Sequence, residues 1–184
     1  MGIVVSRVGA DEMGNDIRES LAAFGLTDDF LQRDEDHATG TVKVKLDVHG
    51  QPDFTITYPS AWDFLESNSA LEKLAKAADA VCFGSLAQRS PESRKSIRRF
   101  LDLLRPQAAK VFDVNLRQSF YTAEVLADSI ARATIVKMNQ DPQSCGIARP
   151  RGRRRSSLLL RDAAKISIAF DLRYARRSRE PADE

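Results

Sequence analysis

Apolar residues in this chain fall into two periods. Short, largely apolar runs at residues 3–8, 80–83, 111–114 and 134–138 read as strands buried on both faces. Helical periods lie between them. Ile17, Leu21 and Phe24 recur at i, i+4 and i+7, with Gly25 as the stop. Leu71, Leu74, Ala75 and Ala78 predict a short helix; Ile97, Leu101 and Leu104 line one that Ser90 caps and Pro91 starts; residues 123–131 predict another. Strand alternating with helix implies right-handed parallel crossovers and a three-layer α/β sheet. One segment keeps a different period. Val42, Val44, Leu46 and Val48 alternate with Lys43, Lys45 and Asp47, and His49 to Asp53 supply turn chemistry before Phe54 to Tyr58. That pattern predicts an antiparallel hairpin within about residues 39–58, with one wet face, suited to act as a flap or a partner surface.

Composition changes this picture little: 42% hydrophobic and 29% charged residues describe an ordinary folded domain. Charge changes it more. Residues 1–141 carry 17 Lys and Arg against 21 Asp and Glu, whereas residues 142–184 carry 11 against 5. The last quarter is a different kind of sequence, with an Arg-rich run at residues 151–155. Two cysteines, Cys82 and Cys145, form neither a disulfide framework nor a metal spacing. With no apolar run of membrane-spanning length and no cleavable leader pattern, a reducing, cytoplasmic setting is expected.

Candidate chemistry gathers at the predicted strand ends. In an open parallel sheet, ligands sit outside the carboxyl ends of the strands. Three polar loops would share that rim: residues 84–89, residues 115–118 and Asn139 onward. Asn115 and the forked donors of Arg117 suit an anionic or hydroxylated ligand. Gly9 and Gly14 have the spacing of a phosphate-binding loop, but Asn15 and Asp16 stand where Lys and Ser or Thr belong. A nucleotide loop is therefore rejected, and Asp11 reads as a helix cap or a contact to hydroxyls. His37 and His49 flank the hairpin without a second ligand nearby in sequence and read as surface residues.

Five stretches carry a family resemblance, in order: Ser6-Arg7-Val8-Gly9-Ala10-Asp11-Glu12-Met13-Gly14, Thr39-Gly40-Thr41-Val42, Phe83-Gly84-Ser85-Leu86-Ala87-Gln88-Arg89, Phe112-Asp113-Val114-Asn115-Leu116-Arg117-Gln118 and Val136-Lys137-Met138-Asn139. Through residues 3–141 the chain resembles the ribokinase-like, or PfkB, carbohydrate kinases, and within them the fructokinase-like branch. The resemblance implies transfer of the γ-phosphoryl group of ATP, with Mg²⁺, to a sugar hydroxyl, a reaction that relies on positioning and charge neutralisation. It implies sugar contacts from Arg117, Gln88 and Asp11 and nucleotide contacts from Asn115 and Asn139. The hairpin resembles the lid that closes over the sugar and, in many members, supplies a homodimer contact.

The departures are equally specific. The family's N-x-x-E motif needs Glu at position 142, where the chain has Pro142, and no Gly-Ala-Gly-Asp run supplies a general base. The family's first strands, with an Asp for sugar hydroxyls and a glycine pair, are missing too. Residues 1–141 are thus expected to form a partial kinase domain that leaves apolar sheet surface uncovered. Residues 142–184 are expected to be an unrelated tail from a truncated or frameshifted reading frame, with a helix over residues 158–169. Little or no kinase activity is expected. The alternatives are a non-catalytic sugar-binding or dimerising remnant, or a basic appendage that binds nucleic acid. The arginines lack the interleaved aromatics that would favour the last.

Overall fold

In the computed structural model, the first apolar run makes two strands that enter different sheets. The structure describes residues 2–138, apart from Asp47 and His49, together with Ile168–Ala169. Strand β1 (Ile3–Val4) joins the main sheet, and β2 (Ser6–Gly9) pairs in parallel with β3 (Leu31–Asp34) in a sheet of their own. Val5, fully buried, lies between them in the main core, whereas Val8 packs with Ile17, Leu21 and Leu31 in a second cluster. Expectation had one strand over residues 3–8 and none at β3. The sequence Leu-Gln-Arg-Asp has no strand period to announce it.

Helix α1 (Glu12–Ala23) buries Ile17 and Leu21 against β2 and β3. Phe24, expected on the same face, is 80% exposed, because the helix stops one residue earlier and Gly25 turns the chain away at φ 68°. Asp11 is the cap of this helix. Its Oδ1 accepts from Gly14 N at 2.8 Å and Thr39 Oγ1 at 2.6 Å, and its Oδ2 accepts from Thr39 N at 2.8 Å. The two glycines beside it are steric necessities rather than a phosphate cradle. A Cβ on Gly14 would lie 2.2 Å from Gly9 O, and one on Gly9 would lie 2.6 Å from Thr39 N.

The main sheet runs β1-β9-β6-β7-β8 and is parallel at every pairing. Its centre is β6 (Ala80–Gly84) and β7 (Ala109–Val114), with β8 (Ile135–Met138) outside β7. Helices α2 (Ser69–Ala77), α3 (Pro91–Leu103) and α4 (Ala123–Arg132) make the connections, capped by Asn68, Ser90 and Thr122. Phe83 and Phe112 meet across β6 and β7 at 5.2 Å between ring centroids, and Ile97, Phe100 and Leu101 of α3 lie in the same core. The α/β class with a parallel sheet is as expected. At the sheet's margin, Ile135, Val136 and Met138 are each more than a third exposed, so this run, expected to be buried on both faces, is a strand but not a buried one.

Strand β9 (Ile168–Ala169) corrects the helix expected at these two residues. Ile168 and Ala169 pair with Ile3 and Val4 on one side, and Ala169 pairs with Cys82 on the other. Two residues assigned to a helix in a separate tail are instead a strand inside the sheet. The rest of that expected helix lies outside the described residues, as does Cys145.

The hairpin is present, formed by β4 (Val42–Leu46) and β5 (Pro52–Ile56), with Val44 opposite Phe54. Ile56 is buried at its base, but Val44, Leu46 and Phe54 are 44%, 70% and 49% exposed. Beyond its base, the expected buried face is therefore largely in solvent.

Burial alone would raise the Asp11 carboxyl, but hydrogen bonds from Thr39 and Gly14 outweigh it and hold the group below the ordinary range. A depressed folded-state value contributes stability above the unfolded Asp range, near 3.9, that is lost as pH falls through the folded value. Asp11→Ala is expected to cost about 1–3 kcal/mol at neutral pH. Its stability should also fall less steeply than that of the wild type below about pH 4. Urea titrations of both proteins across that range check both effects.

Candidate active site

The loops that follow β6 and β7 share one rim because the two strands are parallel neighbours. Ser85 ties the loops together, its Oγ donating to Asn115 O at 3.2 Å. Gln88 is turned inward and buried. Its Nε2 donates to Gly84 O and to Ser129 Oγ on α4, each at 2.9 Å, so this amide nitrogen is engaged within the protein.

The residue that dominates the rim is the next one, Arg89, which the sequence analysis did not single out. Its Nε and Nη2 donate to the two carboxylate oxygens of Asp63 at 2.7 Å each, and Nη2 also donates to Thr57 O at 2.7 Å. The side chains are 2% and 0% exposed. Trp62, Phe120 and Tyr58 pack around the guanidinium, with ring centroids 4.1, 4.6 and 4.8 Å from Cζ. Asp63 is held from behind by a capping box, its Oδ2 accepting from Ser60 N at 2.9 Å. Only the density of aromatic residues before Asp63 hints at this cluster in the sequence. The partners lie 26 to 32 residues apart with no shared period.

Asn115 and Arg117 follow β7 and are both half-buried. Arg117 Nε is buried without a hydrogen-bond partner among the described residues; Arg89 Nη1 is too, although the charge of Arg89 is met by Asp63. An uncompensated buried donor is costly and is a candidate for a ligand contact. Gln118 takes a left-handed backbone, φ 48°, and its Nε2 donates to Phe54 O in the hairpin at 2.9 Å. Asp113 pairs with Lys137 Nζ at 2.9 Å. Asn139 lies outside the described residues, and so does His49. Asp11 follows the carboxyl end of β2, and its carboxylate is engaged as the cap of α1 and by Thr39. His37, read as a surface residue, instead stacks on Phe64 at 3.7 Å and approaches the buried Asp34, which also pairs with Arg7 Nε at 2.7 Å.

A cavity of about 210 Å³ lies between the two loops, lined by Tyr58, Gln88, Arg89, Arg94, Phe120 and Tyr121 among others. It falls below the range of about 300–1,000 Å³ usual for a small-molecule pocket, too little for a sugar and a nucleotide together. Among the described residues, no three His, Cys, Asp or Glu side chains are grouped to hold a metal ion, so these residues provide no protein cage for Mg²⁺.

The sequence model of the pfkB family carbohydrate kinases matches residues 3–142. The chain belongs to this family. A fructokinase from Klebsiella pneumoniae is 28% identical over 185 aligned residues, covering 92% of this chain and 60% of the relative. A fructokinase from Escherichia coli is 28% identical over 144 residues, covering 74% of this chain and 46% of the relative. Among solved structures, a sugar kinase from Pyrococcus horikoshii is 26% identical with a TM-score of 0.62, covering 74% of this chain and 49% of that one. A fructokinase from Xylella fastidiosa, at 21% identity and a TM-score of 0.64, shows the shared fold. This pfkB-family chain spans roughly half to three-fifths of the length of the curated relatives it matches. No helix among its described residues is long and apolar enough to cross a membrane.

In this pfkB-family chain, removing one partner of the Arg89 pair would leave the other charge buried. Asp63→Ala is expected to cost about 3–5 kcal/mol. The double substitution Asp63→Leu with Arg89→Met should cost less than the sum of the two single changes. A double-mutant cycle by chemical denaturation measures both quantities; additive costs would show that the pair does not act as a unit.

Proposed function

We propose that this chain is the sugar-facing and lid portion of an ATP-dependent, fructokinase-like sugar kinase. One observation carries the reading: the unpartnered Nε of Arg117 lies on the strand-end rim whose own loop is tied, through Gln118, to the overhanging hairpin. The fork of Arg117 would orient sugar or phosphate oxygens, and Asn115 would lie toward the nucleotide phosphates. Hairpin closure would exclude the water that competes for a phosphoryl group. Asp11 and Gln88 serve in this reading as structural residues, a helix cap and a loop anchor. ATP is the second substrate, as supported by family membership and by a solved Pyrococcus horikoshii sugar kinase in complex with ATP. Mg²⁺ would enter with the nucleotide.

No Gly-Ala-Gly-Asp run occurs in these 184 residues, and general-base catalysis is worth roughly 10²–10⁴ in rate. Neither Asn115 nor Arg117 replaces a carboxylate base. The expected outcome is weak fructose binding by calorimetry that Arg117→Ala abolishes, with no ATP consumption above background in a coupled assay. Fructose binding indifferent to Arg117→Ala sinks the site assignment, and turnover at kinase-like rates sinks the inactive reading.

A dimerising role is supported by a separate observation, the apolar hairpin face on which Val44, Leu46 and Phe54 are exposed. A homodimer through this face would bury it. Leu46→Lys with Phe54→Lys is expected to convert a dimer to a monomer in sedimentation equilibrium, and a wild-type monomer at every concentration removes the proposal.

A further inference from the structure

Strands β4 and β5 pack chiefly on each other, and the hairpin is tied to the domain at two levels. At the base, Arg89 fixes Thr57 O from a buried position. Farther out, Gln118 Nε2 donates to Phe54 O, and this bond is exposed. Gln118 is also the only non-glycine residue with positive φ among the described residues, a conformation that residues other than Gly, Asn and Asp seldom adopt. Such backbone outliers persist only where their surroundings hold them, and they cluster at clamps and switch segments. Arg117 is the adjacent residue in the same loop.

We propose that Gln118 is a positioning residue that latches the hairpin to the rim, so that the loop carrying Arg117 and the arm above it move as one unit. The buried Arg89 contact is the pivot and the exposed Gln118 bond is the catch. A bond between neutral groups at the surface is weak enough to open and close, which a lid requires. The latch is a matter of this chain's geometry alone; its consequence for a lid rests on the sugar-kinase reading above.

Hydrogen exchange read by mass spectrometry on the full chain tests it. Gln118→Glu keeps the side-chain shape, but its carboxylate cannot donate to Phe54 O at neutral pH. The variant is expected to speed exchange across residues 42–46 and 52–56 by about 2- to 10-fold, the worth of one hydrogen bond, with α3 unchanged. Gln118→Gly, which removes the amide and frees the backbone, should do the same. Unchanged hairpin exchange in Gln118→Glu overturns the latch, and so does acceleration spread evenly into α3, which marks a general folding role. Wild-type exchange in Gln118→Gly also overturns it, because the side-chain amide would then hold nothing. In a final arm, fructose should slow hairpin exchange in the wild type more than in Gln118→Glu. No fructose effect on either protein counts against the sugar reading, while the ligand-free comparison still decides the latch.

Discussion

One guanidinium joins four segments of this molecule. Arg89, in the loop after β6, reaches the carboxylate of Asp63, the carbonyl of Thr57 and the rings of Tyr58, Trp62 and Phe120. The hairpin's exit, the short turn after it and the loop after β7 all converge on this residue of the loop after β6. A buried ion pair is weak evidence of net stability, because desolvating both charges offsets their attraction. Its geometry is another matter. A planar fork with Asp63 on one edge and rings packed around it has few alternative positions, so it fixes how these segments sit relative to one another.

That fixed point gives two nearby arginines opposite roles. Arg89 is neutralised and enclosed, and so belongs to the architecture. Arg117 retains a buried Nε without a partner among the described residues. Each of the two guanidinia keeps one buried donor without a partner among the described residues, Nη1 of Arg89 and Nε of Arg117, but the charge of Arg89 is met by Asp63. The hairpin sits across the same division. Its base is held by the enclosed arginine, while its exposed strand is held through Gln118, the neighbour of the unmatched one.

Much of this was legible from periodicity. The apolar runs at β6, β7 and β8, the 3.6 spacing of the helices between them and the alternation of the hairpin all announce themselves. The capping roles of Asp11 and Ser90 followed from residue type and position. Three features were not readable. Strand β3 has no alternation, because its pairing with β2 and not its own composition makes it a strand. The split at Val5 depends on which sheet each half finds. The Arg89 cluster is tertiary, joining side chains that no local window contains. Nor do the inward partners of Gln88, whose Nε2 donates to Gly84 O and Ser129 Oγ, follow from its place at a strand end.

The charge boundary near residue 141 is likewise not a boundary of the sheet. Strand β1 has no direct ladder with β6; Ile168–Ala169 stands between them, paired to Ile3 and Val4 on one side and to Cys82 on the other. Composition reports the solvent a segment meets, whereas a ladder is built from backbone groups that every residue except proline carries in full. The main core does not depend on that insertion alone, since Ile3 and Val5 also pack among the side chains of β6, β7 and α3. Side-chain burial places the first strand against the sheet, and the inserted strand gives its backbone a partner.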